Sequence, residues 1–250
     1  MVVVDGGGLR SEGVVLEKPK QGACIFEYVY FARSDSVLDG QSVYRARHRM
    51  GAILAREHPV EADVVCGVPE SGLDSAAGYG DQSGIPVKAG FVKNRYMGRS
   101  FIYPSQSQRA AAIQLKLNPL VTNVRGKRIV LVDDSIVRGT TCAKIVMSLK
   151  AAGAREVHVR ISSPPFRHPC HFGIDVDSKE ALIANNEDVD GIRRLIMADS
   201  LGFISIGGLH EACAGAALPL CDGCLSGDYP IDVAAAMRGR PQYRQEEIQT

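Results

Sequence analysis

Two carboxylates side by side at the end of an apolar run, followed by a turn of small and hydroxyl residues, are the part of this sequence best equipped for chemistry. The stretch reads Arg128-Ile129-Val130-Leu131-Val132-Asp133-Asp134-Ser135-Ile136-Val137-Arg138-Gly139-Thr140-Thr141. If a buried parallel strand ends there, both acids point into the crevice beyond its carboxyl end, which is where α/β sheets hold ligands. The turn that follows offers backbone N–H groups, the positive end of a helix dipole and the Thr140 and Thr141 hydroxyls, a combination that suits a phosphate. Carboxylates near a phosphate repel it unless they bind hydroxyls or a cation instead. A sugar phosphate with free vicinal hydroxyls, together with Mg²⁺, meets both requirements. On residue type alone the acids would serve equally to cap a turn. The ordinary nucleotide loops are absent, since neither Gly-x-x-x-x-Gly-Lys-Ser/Thr nor Gly-x-Gly-x-x-Gly follows a strand.

Two other groups carry chemical potential. Lys93, Arg95 and Arg99 place three cations within seven residues, beside Tyr96 and with Gly98 available as a hinge. That pattern suits a lid closing over an anionic group and excluding water, and it also fits a solvated basic loop. Cys221-Asp222-Gly223-Cys224 forms a C-x-x-C unit, and Cys170 lies in Arg167-His168-Pro169-Cys170-His171. Alone this is compatible with zinc, an iron–sulfur cluster, a redox pair or no ligand. Cys66, Cys142 and Cys213 read as small buried hydrophobes, each in or beside a core element.

The elements that must position these groups follow from apolar patterning. Ala62–Val68, Ile85–Val92, Arg128–Asp133 and Val157–Ser162 are short, β-branched and nearly continuously apolar, as expected of buried strands in a parallel sheet. Between them, Ser42–Arg56 carries Val43, Ala46, Met50, Ile53 and Leu54 near a 3.6 period, and Thr141–Ala152 carries Ile145, Val146 and Leu149, with Gly153 as its stop. Residues 178–214 contain two or three further helical segments, one of them Val189–Met197. The expected architecture is an open α/β sheet. With 250 residues, 45% hydrophobic and 23% charged, the chain describes one soluble domain with or without appendages. A net charge of +1 lacks the basic excess of a nucleic-acid binder. No uncharged apolar run approaches the roughly 20 residues of a membrane span, and the start Met1-Val2-Val3-Val4-Asp5 lacks the basic region of a signal peptide, so a cytoplasmic location is expected. Seven cysteines, an odd count without a secretory signal, disfavour a disulfide framework.

Val130–Thr141 resembles the phosphoribosyl-pyrophosphate signature of type I phosphoribosyltransferases. Three more stretches, Cys24–Arg33, Lys93–Ile102 and His158–Pro165, resemble the glutamine phosphoribosylpyrophosphate amidotransferase family, in order, over its phosphoribosyltransferase domain. The resemblance implies a type I phosphoribosyltransferase fold, an open and mainly parallel sheet flanked by helices with a C-terminal helical segment. It divides the chain into an arm or linker remnant (1–23), the phosphoribosyltransferase domain (24–232) and a polar tail (233–250).

The implied reaction is displacement of pyrophosphate from C1 of phosphoribosyl pyrophosphate (PRPP) by ammonia, giving 5-phosphoribosylamine, the first step of purine synthesis. Asp133 and Asp134 resemble the pair that engages the ribose hydroxyls and Mg²⁺, and Ser135, Arg138, Gly139, Thr140 and Thr141 resemble the 5′-phosphate cradle. Cys66–Gly72 resembles the pyrophosphate loop, with Ser71 a Mg²⁺-associated hydroxyl beside Gly72, and with Glu70 where the family usually has Asp. Lys93, Arg95, Tyr96 and Arg99 resemble the lid over the pyrophosphate. Cys24, Cys170, Cys221 and Cys224 resemble the four ligands of the [4Fe-4S] cluster carried by one branch, with Zn²⁺ the main rival. The family's glutaminase domain and its N-terminal cysteine nucleophile are not seen in the sequence, so a separate glutaminase domain or subunit is expected to supply ammonia. Homo-oligomers and feedback inhibition by purine nucleotides are further expectations of the resemblance. A non-catalytic PRPP-binding regulator and a salvage phosphoribosyltransferase acting on a nucleobase are the alternatives.

Overall fold

The computed structural model describes residues 2–11, 22–93, 117–174 and 179–233. Its centre is a four-stranded parallel sheet. In chain order the elements around it are α1 (Val43–Glu57), β1 (Val64–Gly67), α2 (Gly72–Ser83), β2 (Arg128–Asp133), α3 (Thr140–Ala151), β3 (Glu156–Ile161), α4 (Val189–Leu195), β4 (Ser200–Phe203) and α5 (Ile206–Ala212). The spatial order is β4-β3-β2-β1, with β2 in the interior. Ile161 lies opposite Asp133, and Cys66 opposite Leu131.

The sheet is covered on both faces, which is why its strands read as continuous apolar runs rather than alternating ones. Val130 and Val132 pack with Met50 and Leu54 of α1, Tyr79 of α2 and Leu209 of α5. Ile129 and Leu131 point the other way, into Ile145, Val146 and Leu149 of α3 and Ile192 of α4. The period-2 alternation of one strand thus anchors two cores, and its end is held from both sides.

Helices α1 and α2 touch at backbone level. A Cβ on Gly51 would lie 1.8 Å from Ser75 O, and one on Gly78 would lie 1.8 Å from His48 O. Only glycine permits that approach, and it makes the two helices one rigid unit. Ser42 caps α1, accepting a hydrogen bond from Arg45 N at 3.3 Å, and Gly153 follows α3 at φ 95°, as the sequence pattern expects.

The strand expectations hold for β1, β2 and β3 and need two corrections. Ile85–Val92 is not one buried strand. Residues around Val87 bridge Val65 at the sheet edge, and Phe91–Lys93 turns away to pair antiparallel with Leu117–Pro119. Pro86 and the Ala89-Gly90 pair break the apolar run that suggested continuity. Conversely, residues 178–214 hold the expected helical segments and also an edge strand that was not expected, β4 (Ser200–Phe203), paired with β3 from His158↔Ser200 to Ile161↔Phe203. Four residues containing a glycine carry little periodicity, and it is the neighbouring strand that makes them extended.

Near the start, Val2–Asp5 and Gly8–Ser11 form an antiparallel hairpin. Ala23–Cys24 pairs in parallel with Leu220–Cys221, joining segments about 200 residues apart. Among the described residues no helix is long and apolar enough to cross a membrane.

Candidate active site

A cleft of about 1550 Å³ opens beyond the carboxyl ends of β1 and β2. Its floor is the acid pair. Asp133 is 8% and Asp134 9% exposed, held there because β2 ends between the two cores. Asp134 N donates to Asp133 Oδ1 at 2.9 Å. The Asp134 carboxylate accepts from Ser135 Oγ at 2.5 Å on one oxygen and from the Ser71 hydroxyl on the other. Burial first, and the neighbouring Asp134 second, push the Asp133 carboxyl well above the usual carboxylate range. Two acids so arranged, with hydroxyls around them, form an oxygen donor set for sugar hydroxyls or a hard divalent cation.

The Ser71 wall comes from the β1–α2 turn. Val68 N donates to Val132 O at 2.8 Å, which lashes this turn to the end of β2. Gly72 opens α2 so close to β2 that an added Cβ would sit 2.4 Å from Val132 O. The Pro69–Glu70 peptide is cis. Glu70 reaches across to Lys93, Nζ to Oε1 3.0 Å.

The opposite wall is the turn from Ser135 to Thr141. Gly139 takes φ 77°, a left-handed conformation that lets the chain turn into α3. Arg138, Thr140 and Thr141 line the cleft at the N-terminus of that helix. Ile183 N fastens the turn from behind by donating to Val137 O at 2.9 Å.

The structure therefore brings Ser71, Lys93, Asp133, Asp134, Ser135, Arg138, Gly139, Thr140 and Thr141 to one cleft, with Gly72 directly behind Ser71 at the start of α2. Arg95, Tyr96 and Arg99 lie outside the described residues. Phe91–Lys93 and Leu117–Pro119 form the paired stem on either side of that segment, and Lys93 and Leu117 both line the cleft.

A third wall was not anticipated from the sequence. Phe26, Tyr30, Phe31, Ala32, Arg33 and Ser34 line the cleft from a π-helical turn, Glu27–Phe31, and the residues after it. Tyr30 and Phe31 are 53% and 49% exposed, their rings 5.4 Å apart, and Phe26 packs on Phe166 at 5.3 Å. Beside them Arg47, on the buried stripe of α1 with Val43, Ala46 and Met50, also lines the cleft, close enough to Asp74 and Asp134 to interact with both electrostatically. A cation at a core position of an amphipathic helix is the signal that could have found it.

The four cysteines singled out from the sequence are free and lie close enough to interact electrostatically. Cys24 and Cys221 are opposite one another on adjacent strands. Cys224 O accepts from Arg167 N at 3.1 Å and His168 N at 3.0 Å, which brings in the Cys170 segment. Phe172 N and Ile174 N point at Cys170 Sγ at 3.4 and 3.5 Å. Burial, then the other three sulfurs, push the Cys224 thiol up. Among the described residues no group of three or more His, Cys, Asp or Glu closes around a single metal ion. Cys66, Cys142 and Cys213 are buried, with burial raising the thiols of Cys66 to about 11 and Cys213 to about 12, as expected of packing residues.

An α/β sheet with an acid pair and a phosphate-type turn at its carboxyl edge defines a phosphoribosyltransferase. Residues 33–162 match the phosphoribosyl transferase domain family, and the chain belongs to it. More particular relatives are amidophosphoribosyltransferases. That of Archaeoglobus fulgidus is 53% identical over 221 residues, 88% of this chain and 48% of the relative. That of Mycobacterium bovis is 50% identical over 238 residues, 93% of this chain and 45% of the relative. Among solved structures, the glutamine PRPP amidotransferase of B. subtilis complexed with ADP and GMP superposes with a TM-score of 0.78 at 44% identity, covering 93% of this chain and 52% of that one. The chain spans about half the length of the curated relatives it matches.

Proposed function

We propose that this chain carries the phosphoribosyl-transfer reaction of an amidophosphoribosyltransferase, in which ammonia displaces pyrophosphate from PRPP to give 5-phosphoribosylamine at the entry to purine synthesis. The observation that carries this reading is the convergence of the Asp133–Asp134 pair, the Ser71 turn and the Ser135–Thr141 turn on one cleft. The half-identical amidophosphoribosyltransferase relatives support it.

The 5′-phosphate rests on the turn from Ser135 to Thr141, where N–H groups at the start of α3 and the Thr140 and Thr141 hydroxyls face it. Asp133 and Asp134 take the ribose hydroxyls, and Ser71 and Gly72 take the pyrophosphate. Ammonia's lone pair forms the C1–N bond while the C1–O bond breaks, its electrons leaving with pyrophosphate. The ammonium-like product then gives one proton to solvent. Because neutral ammonia is already a nucleophile, the residues act chiefly by orienting substrate, balancing charge and excluding water. Lys93, with Arg95, Tyr96 and Arg99, is proposed to lie over the departing pyrophosphate.

The oxygen donors of Asp133, Asp134 and Ser71 fit Mg²⁺, whose positive charge would offset that of the leaving pyrophosphate. Cys24, Cys170, Cys221 and Cys224 are proposed to hold a [4Fe-4S] cluster. Four neighbouring free thiols, one facing two backbone N–H groups, fit such a group, which would clamp the two ends of the domain together. Glutamine-dependent turnover is proposed to draw ammonia from a glutaminase domain or subunit outside these 250 residues. Purine-nucleotide inhibition and a homo-oligomeric assembly complete the proposal.

Pyrophosphate release from PRPP, measured with ammonium salt, with a purine or pyrimidine base, and with neither, tests it. Ammonium-stimulated release is expected. Base-dependent release, or PRPP binding without turnover, would refute it.

A further inference from the structure

We infer that Arg47 is a positioning residue whose guanidinium pins the aromatic wall of the cleft to the rigid α1–α2 unit and thereby sets the approach of ammonia to C1. The inference rests on the function proposed above.

Arg47 is 3% exposed, and a buried guanidinium needs its donors satisfied. Its three short contacts all end on one seven-residue segment. Nε donates to Tyr28 O at 2.8 Å, Nη2 to Ala32 O at 2.8 Å and Nη1 to Ser34 Oγ at 3.1 Å. The nearest acid, Asp74, stands farther off at 3.9 Å and is reached through Ser34, whose hydroxyl donates to Asp74 Oδ2 at 2.5 Å. Arg47 is thus fastened to the wall more closely than it is ion-paired. A planar fork can hold three acceptors at fixed relative positions, which an ammonium on a flexible stem cannot reproduce.

What the fork is mounted on matters as much. Arg47 O accepts from Ser75 Oγ at 3.0 Å, and the glycine contacts at Gly51 and Gly78 fix α1 against α2. Helix α2 begins at Gly72, directly after Ser71, which hydrogen-bonds Asp134. The wall and the acid pair are therefore referenced to the same rigid body. Between them lies the cleft into which Tyr30 and Phe31 project.

The geometry of displacement makes this wall consequential. With the 5′-phosphate on the Ser135–Thr141 turn and pyrophosphate on the Ser71 side, an incoming nucleophile must approach opposite the departing group. Among the described residues, the aromatic wall 26–34 is the remaining side. Held in place, it presents an apolar surface that disfavours water. Displaced by about an ångström, it would let water compete with ammonia for the same carbon.

The experiment compares Arg47→Lys, Arg47→Gln and Ser34→Ala with the wild-type chain, measuring pyrophosphate release with and without ammonium together with PRPP affinity by calorimetry. Release without ammonium reports attack by water. Both Arg47 variants are expected to raise the ratio of water to ammonia attack about 10- to 100-fold, the scale of an ångström-level misplacement, with PRPP affinity within about threefold of wild type. Ser34→Ala, which keeps the guanidinium and removes one of its acceptors, is expected to raise the ratio to a smaller extent and carries the test if the Arg47 variants misfold. A merely structural role would lower thermal stability and leave the ratio unchanged, which would overturn the inference. So would a wild-type ratio in Arg47→Lys, because charge rather than the fork would then suffice. Absence of ammonium-stimulated release in the wild-type chain would instead refute the proposed function, so the two failures are distinct.

Discussion

Gly72→Ala and Gly84→Ala, at the two ends of the same helix, separate the demands of the site from those of the fold. At Gly72 an added Cβ would lie 2.4 Å from Val132 O, 3.3 Å from Val132 C and 3.4 Å from Asp133 Cα. Real Cβ contacts essentially never fall below 3.0 Å, so the start of α2 must retreat from the end of β2 by about 0.6 Å or more. The contact is with backbone on both sides, so no side chain can rotate to relieve it. The retreat carries Ser71 away from Asp134 and loosens the Val68–Val132 link. Overpacking of this kind costs about 1–3 kcal/mol. If a 1 Å misplacement costs about a hundredfold in rate, this shift costs about tenfold or more in kcat/KM for PRPP. Gly84 ends the same helix at φ 73° with nothing within 4 Å of its would-be Cβ. There the substitution costs only the left-handed conformation, about 1 kcal/mol, and should leave kcat/KM unchanged. Urea unfolding gives the stability of each variant, and ammonium-dependent pyrophosphate release gives its activity. Undiminished activity in Gly72→Ala, or equal losses in both variants, would refute the claim that the close approach of α2 to β2 sets the site.

Replacing both acids, Asp133→Asn with Asp134→Asn, should abolish measurable transfer while urea unfolding remains cooperative; retained transfer would remove the acids from the mechanism. Asp133 also makes a pH prediction. Its folded-state pKa is raised by burial and by Asp134, so the native state binds the proton more tightly than the unfolded chain, whose carboxylate titrates at about 3.9. The stability it contributes is fully present below that value and is lost as pH rises through the raised one. Asp133→Asn should flatten this decline and be more stable than wild type at neutral pH without Mg²⁺. Parallel urea midpoints across the acidic range would contradict it. Cys224→Ala should lose iron, acid-labile sulfide and visible absorption from anaerobically purified protein, together with a fall in thermal midpoint; zinc without iron in the wild type would replace the cluster with a mononuclear site.

The chemistry-bearing residues of the floor and the phosphate turn were legible because they are contiguous. Asp133 to Thr141 is a single stretch in which strand, acids, glycine turn and helix start follow one another, so local rules suffice to place them. The third wall was not legible because, although Cys24–Arg33 carries a family resemblance, nothing in its residue types says that they line a cleft. The π-helical turn that aims Phe26, Tyr30 and Phe31 has no periodic signature. Arg47 sits at a core position of the amphipathic α1 pattern, a signal that says the cation is buried but not what it holds. Strand β4 was missed for a related reason, since Ser200-Leu201-Gly202-Phe203 has neither length nor alternation and is extended by pairing with β3.

Precision at this site and stability of the fold share one cause. β2 sends alternate side chains into two separate cores, so its tip is clamped from both faces, and the acid pair sits at that tip. The Ser71 turn is lashed to Val132, the phosphate turn to Ile183, and the aromatic wall to Arg47 on the helix pair beside them. Each wall is a loop, and each is tied by backbone contacts or by carbonyl acceptors rather than by the groups that would meet substrate. The side chains that define the reaction can then remain exposed to the cleft, with their positions decided largely by backbone contacts and by a buried guanidinium at its margin. Substitutions at Gly72 or Arg47 should therefore damage turnover beyond what their stability costs predict, whereas those at Gly84 should not.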